Sequence, residues 1–131
     1  MEENQINARL SRVLLVDDEP SVLQVLSQRL KTQGYEVFTA TDGEEALQKA
    51  DREHPDVILL DIMLPKKNGN AVAAELREKQ GTAKIPIIFI TCLISNNEAR
   101  VMHYQSGGQR ILGKPIDSRV LVQLIEEVCM H

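Results

Sequence analysis

Asp56-Val57-Ile58-Leu59-Leu60-Asp61 is the stretch that most restricts what this chain can become. Its four aliphatic residues end abruptly in a carboxylate, with Pro55 on one side and Pro65 on the other. Such a run is too short for a helix and reads as a strand buried on both faces. Arg12-Val13-Leu14-Leu15-Val16 repeats the pattern and ends in Asp17-Asp18. In open parallel sheets the functional crevice lies beyond the carboxyl ends of the strands. If the two strands are neighbours, Asp17, Asp18 and Asp61 meet in one small volume. Carboxylates that close repel one another unless a cation sits among them.

The rest of the chain supplies the other layers. Residues 1–11 form a polar lead-in, expected to be flexible, and 12–129 one domain. Pro20 opens a helix whose apolar face is Val22, Leu23, Val25, Leu26 and Leu30, with Gly34 as its stop. Tyr35–Ala40 alternates like a strand at the sheet edge. Asp42 and Glu45 form a capping-box pattern for a second helix carrying Ala46, Leu47 and Ala50. After Asp61, Met63-Leu64-Pro65-Lys66-Lys67-Asn68-Gly69 reads as a loop, with Lys66-Lys67 as a solvated pair. A third helix is expected from Asn70 to Lys79, with Ala71, Ala74 and Leu76 inward and Gly81 closing it. Ile85–Ile90 is another buried strand and delivers Thr91 to the acidic edge. A polar helix over 97–106, broken by Gly107-Gly108, precedes a short strand at 109–112 and then Gly113-Lys114-Pro115. Asp117 caps a last helix bearing Val120, Leu121, Leu124, Ile125 and Val128. Five strands alternating with five helices predict a parallel α/β sheet with right-handed crossovers, covered on both faces.

Composition narrows the function classes. The 131 residues suffice for one core, and with aromatics at 3% that core is built from Leu, Ile, Val and Ala. A net charge of -4 argues against a dedicated nucleic-acid surface. Cys92 and Cys129 match no pairing motif and no secretory signal precedes them, so a reduced, cytoplasmic protein is expected. The longest apolar stretch, 85–94, is too short to span a bilayer.

Asp17-Asp18, Asp61, Thr91 and Lys114-Pro115 thus fall at successive strand ends, with Met63, Leu64-Pro65 and Gly69 spaced after Asp61. This ordered set resembles the receiver domain of two-component response regulators, over about Arg12 to Val128. The resemblance implies a flavodoxin-like doubly wound sheet of strand order 2-1-3-4-5, an order that receiver proteins themselves commonly illustrate. It implies Asp61 as phosphoacceptor in a phosphorelay and Mg²⁺ held by Asp18, Asp61 and the Met63 carbonyl. Asp17 would assist directly or through water. Lys114 would pair with Asp61 and then with the phosphoryl group, Thr91 would be the switch hydroxyl, and Lys114-Pro115 a cis peptide. It also implies a histidine kinase or histidine phosphotransfer protein as donor and an effector or fused output domain as receiver of the signal. That signal would pass through the helix at 97–106, the strand at 109–112 and the last helix. Such a domain is no enzyme beyond assisting its own phosphorylation and dephosphorylation. No membrane or direct nucleic-acid contact is expected, and a homodimer stays open.

The physics of these residue types agrees. Mg²⁺ takes hard oxygen ligands, with one or two carboxylates beside waters and phosphate. Three carboxylates balance one divalent ion and one ammonium. Two departures stand out: Ile111 occupies the place of the usual switch aromatic, and Gly108-Gln109 replaces the acidic pair found after the glycine in many members. The apolar Met63 and Leu93 near the site imply slow self-dephosphorylation. Other readings are a receiver-shaped module independent of phosphate, a flavin binder and an aspartyl-phosphate phosphatase. Asp17-Asp18-Glu19-Pro20 would repel a flavin phosphate. The phosphatase needs an Asp where Met63 stands. Singly, each residue has a plainer role. Asp17-Asp18 could be a helix N-cap, Asp61 a turn former, Thr91 a strand residue and Lys114 a surface lysine. Cys92 is expected to be buried, Cys129 to sit at the core edge, and His54, His103 and His131 show no ligand spacing.

Overall fold

The computed structural model describes residues 11–92 and 110–129. The lead-in at 1–10, the helix expected at 97–106, Leu93, Gly107-Gly108 and Gln109 lie outside the described residues. Five strands are seen: β1 (Arg12–Val16), β2 (Glu36–Ala40), β3 (Val57–Asp61), β4 (Ile87–Thr91) and β5 (Arg110–Gly113). The described helices are α1 (Pro20–Thr32), α2 (Gly43–Glu53), α3 (Gly69–Glu78) and α4 (Ser118–Cys129). All strand pairs are parallel, as the alternation of strands and helices predicts, and the order is β2-β1-β3-β4-β5, as the resemblance implies. Among the described residues no helix is long and apolar enough to cross a membrane.

Side-chain alternation along the strands builds two cores. Val13, Leu15, Val57, Leu59, Ile88 and Ile90 point to one face, where α1 adds Leu23, Leu26 and Leu30 and α4 adds Leu121, Leu124 and Ile125. Leu14, Val16, Ile58, Leu60 and Phe89 point to the other, against Ala46 and Ala50 of α2 and Val72, Ala73 and Leu76 of α3. A strand sandwiched between helices can carry no polar residue mid-length, so its polar residues collect at its ends. This is why the aliphatic runs stop in acids at the edge of the sheet.

The structure corrects several local expectations. Val25 is half-exposed, because the buried stripe of α1 runs through 23, 26 and 30. The N-cap of α3 is Asn68, whose side chain accepts the Ala71 N–H at 2.9 Å. That start sets the helix phase, so Val72, Ala73 and Leu76 are buried while Ala71 and Ala74 face solvent. Gly81 does not close α3. Lys79 leaves the helix in extended conformation, and the buried Thr82 hydroxyl donates to the Leu76 carbonyl at 2.7 Å. The α2 helix ends at His54, left-handed at φ 48°. Its N-cap is Asp42, which accepts the Glu45 N–H at 2.8 Å, and Glu45 reaches back to the Thr41 N–H at 2.8 Å. Pro86 has no N–H to donate, so β4 begins after it, although its carbonyl accepts from Ile58 at 3.0 Å. Lys66 and Lys67 are not simply solvated: Lys66 pairs with Asp42 at 3.4 Å and Lys67 with Glu75. Cys92 is exposed rather than buried, since β4 ends at Thr91.

Gly69 ties the loop after β3 to α3. Its N–H donates to the Ile62 carbonyl at 2.9 Å, and a Cβ there would lie 2.5 Å from the Asp61 carbonyl oxygen. Backbone cannot yield as a side-chain tip can. Gly69→Ala should therefore destabilise the fold by about 1–3 kcal/mol, the usual cost of overpacking, read as a lower urea midpoint with unchanged slope.

The two thiols are separable by chemistry. Burial, with Asp56 nearby, pushes the Cys129 thiol up to about 11. An aromatic disulfide reagent at pH 8 should modify Cys92 first and Cys129 slowly. The Cys129 rate should rise about tenfold per pH unit until the pH nears that value. The sign for stability follows: the folded protein holds this proton more tightly than the unfolded chain does. That contribution is complete below 9.0 and is lost as pH climbs toward 11.

Candidate functional site

The site forms where β1, β3, β4 and β5 end side by side. The Asp17 N–H donates to the Ala40 carbonyl at 3.1 Å, fixing the end of β1 against β2. The Lys114 N–H donates to the Thr91 carbonyl at 3.0 Å, fixing the end of β5 against β4. Lys114-Pro115 is a cis peptide. Asp61 is the last residue of β3, and the Ile62 N–H that follows it donates to Ile90. The strand ladders thus deliver each polar residue to the same rim.

Carboxylate oxygens of Asp17, Asp18 and Asp61 all lie within 4.8 Å of one another. Lys114 reaches into them, 2.9 Å from Asp17 Oδ2 and 3.0 Å from Asp61 Oδ2. Asp17 is fully buried and Asp61 nearly so, while Asp18 is exposed. Asp61 Oδ1 accepts the Met63 N–H at 2.9 Å, and Asp17 Oδ1 accepts the Glu19 N–H at 2.9 Å. Thr91 is buried at the end of β4, opposite Gly113 in the β4–β5 register. The cluster opens into a cleft of about 870 Å³, bordered also by Val22, Val25, Met63, Cys92 and Pro115. Ile111 is half-buried against the α2–α3 core. His54 is exposed and, among the described residues, joins no metal-ligating group, while His103 and His131 lie outside them.

The electrostatics reflect the crowding. Burial pushes the Asp17 carboxyl up, and the Glu19 N–H and Lys114 offset this only in part. Burial alone would lower Lys114, but contacts with Asp17, Glu19 and Asp61 outweigh it and hold the ammonium protonated beyond the ordinary lysine range. Formally, Asp17, Asp18, Glu19 and Asp61 face one lysine. Buried Asp17 Oδ2 faces the Lys114 ammonium at 2.9 Å and has no other hydrogen-bond partner among the described residues. A buried carboxylate oxygen in that condition, beside two further carboxylates, fits a hard divalent cation with oxygen ligands.

Sequence reasoning missed Glu19. It occupies the N-cap position of α1 yet makes no side-chain cap. Its Oε1 instead accepts from Lys114 Nζ at 2.9 Å. The reading of Asp17-Asp18 as a helix N-cap fails for the same reason, since the helix starts one residue later. The available signal was a long acidic side chain at a position that favours short ones.

Comparison with known proteins agrees with this arrangement. The family model described as the response regulator receiver domain matches residues 13–126. The alkaline phosphatase synthesis transcriptional regulatory protein PhoP of Bacillus subtilis is 40% identical over 108 residues, 82% of this chain and 44% of its own length. Response regulator PleD of Caulobacter vibrioides is 40% identical over 111 residues, 85% of this chain and 24% of its own. The chain spans less than half the length of such curated relatives. Among solved structures, chemotaxis protein CheY4 of Vibrio cholerae superposes with a TM-score of 0.78 at 32% identity, covering 92% of this chain and 99% of that one. The receiver domain of sensor histidine kinase PA1611 of Pseudomonas aeruginosa has a TM-score of 0.80 at 28% identity, covering 94% and 100%, and is described with a magnesium ion coordinated in its active site cleft. With its parallel sheet ordered 2-1-3-4-5 and three acids gathered at the strand ends, two of them paired with a lysine, this chain belongs to the response regulator receiver domain family.

Proposed function

We propose that this receiver takes up a phosphoryl group on Asp61 from a phosphohistidine of a histidine kinase or histidine phosphotransfer protein. It passes that state to a downstream effector or a fused output domain. The observation that carries the reading is the cluster of Asp17, Asp18 and Asp61 with Lys114 between two of them. In the transfer a carboxylate oxygen of Asp61 bonds to phosphorus as the phosphorus–nitrogen bond breaks. The histidine nitrogen leaves with the electron pair and its ring is protonated from solvent. Positioning and charge stabilisation are most of what such a transfer requires.

Asp17, Asp18, Asp61 and the Met63 carbonyl would hold Mg²⁺, which when bound offsets negative charge on the phosphoryl oxygens. The chain's own residues do the rest. The Met63 N–H orients one Asp61 oxygen, and Lys114 neutralises the other. Lys114 then turns to the phosphoryl group. Thr91, at the adjoining strand end, supplies a hydroxyl to the new oxygens. The face formed by 97–106, β5 and α4 relays the change, with Ile111 serving without an aromatic rotamer switch. The first part of that face lies outside the described residues. This is a signalling role, in a cytoplasmic setting, with turnover limited to the domain's own phosphorylation and dephosphorylation.

Incubation with acetyl phosphate and Mg²⁺, followed by mass measurement, should give a phosphate adduct in the wild type and none in Asp61→Ala. Chelation should abolish uptake. Lys114→Ala should slow it on the order of 10²-fold, the scale for removing one charge-stabilising donor. An adduct that persists in Asp61→Ala would place the chemistry elsewhere. Met63, half-exposed at the cleft, offers no polar group to orient water on the acyl phosphate. Its companion Leu93 lies outside the described residues. Loss of label should therefore be slow, and a lifetime of seconds would refute that part.

A further inference from the structure

Glu19 holds the same ammonium that a phosphoryl group on Asp61 would need. Its Oε1 lies 2.9 Å from Lys114 Nζ, the same separation as the Lys114–Asp17 contact. The Lys114 side chain is 16% exposed and that of Glu19 57%, so the glutamate reaches the lysine from the solvent side of the cleft. Asp61's own carboxylate is only 3% exposed, with Lys114 against one oxygen. An incoming phosphorus cannot occupy that space until the ammonium shifts. Glu19 can follow only through its side chain, because its backbone is fixed. Its N–H is given to Asp17 Oδ1, and its carbonyl accepts from Val22 at 3.1 Å and Leu23 at 3.2 Å.

We propose that Glu19 competes with the phosphoryl group for Lys114 and so biases the domain toward its unmodified state. This rests on the phosphoacceptor reading of Asp61. Before transfer, Glu19 has a cationic partner. After transfer Lys114 serves the phosphoryl oxygens, and Glu19 loses that partner and faces a more negative neighbour. An interaction that favours one of two states shifts the equilibrium by the difference. The glutamate acts through lysine and touches neither donor nor phosphorus, so it is a positioning residue.

The test is the affinity of the full chain for beryllium fluoride, a phosphoryl mimic, measured by calorimetry at saturating Mg²⁺. Glu19→Gln should bind roughly two- to fivefold more tightly than wild type, the range expected for an exposed ion pair. The ratio should shrink toward one in 1 M NaCl, where such pairs are screened. A purely structural effect would not follow salt in this way. Glu78→Gln, which removes one exposed charge from α3, away from the cleft, should match wild type, excluding a net-charge effect. Glu19→Asp keeps the charge on a shorter arm and should move toward Glu19→Gln. Equal or weaker binding by Glu19→Gln would overturn the proposal; weaker binding would make Glu19 a partner of the cation instead. Failure of the wild type to form any adduct on Asp61 would remove the underlying reading, a separate result seen in the acetyl phosphate experiment.

Discussion

One ammonium set among carboxylates is the interaction on which this structure depends. Lys114 stands within 3.0 Å of oxygens from Asp17, Glu19 and Asp61. Without it, buried Asp17 and Asp61 would be like charges with little solvent to separate them, an arrangement costing several kcal/mol per ion. With it, the rim remains negative overall. That imbalance is what the proposed binding of a further cation would relieve.

That arrangement rests on the sheet. Parallel strands buried on both faces exclude polar residues from their middles and concentrate them at their carboxyl ends. Backbone hydrogen bonds then set the ends at fixed offsets: Asp17 to Ala40, Ile62 to Ile90, Lys114 to Thr91. The loop after Asp61 is held as firmly. Gly69 sits against the Asp61 carbonyl, and Gly43 at the start of α2 approaches the Lys67 carbonyl as closely. The backbone beside Asp61 is therefore closely packed, with no room for even a methyl group at either glycine.

Strand existence, and the delivery of Asp17, Asp18 and Asp61 to one rim, were legible because β1 and β3 are apolar runs that stop at acids, whereas strand order and the place of Lys114 among those acids came from the family resemblance. Helix phase was less legible. In α3 the pattern is Ala71-Val72-Ala73-Ala74, and small apolar residues on both sides give hydrophobic periodicity nothing to choose between. Asn68 is the N-cap and the helix starts at Gly69, one residue before the expected Asn70, with Ala71 and Ala74 facing solvent. Val25 misled in the same manner, an apolar side chain on the cleft side of α1. Cys92, expected to be a small buried residue beside Thr91, is exposed because the strand ends one residue before it. Thr82 and His54 were invisible because their roles, a carbonyl cap and a left-handed helix stop, depend on backbone closure rather than on local pattern.

Glu19 illustrates the same limit at the site. Sequence logic assigns the residue before a helix-opening proline to capping, where short side chains reach the first free N–H groups. Here Asp17 takes over local stabilisation by accepting the Glu19 N–H, an Asx turn that closes before the helix begins. The long side chain is thereby released from the helix and meets a lysine 95 positions away. The contact joins the start of α1 to the end of β5, two elements that share the cleft. An acid that were merely solvated there would contribute only a weak field. An acid hydrogen-bonded to the site's one lysine sets how much of that charge remains for whatever reaches Asp61.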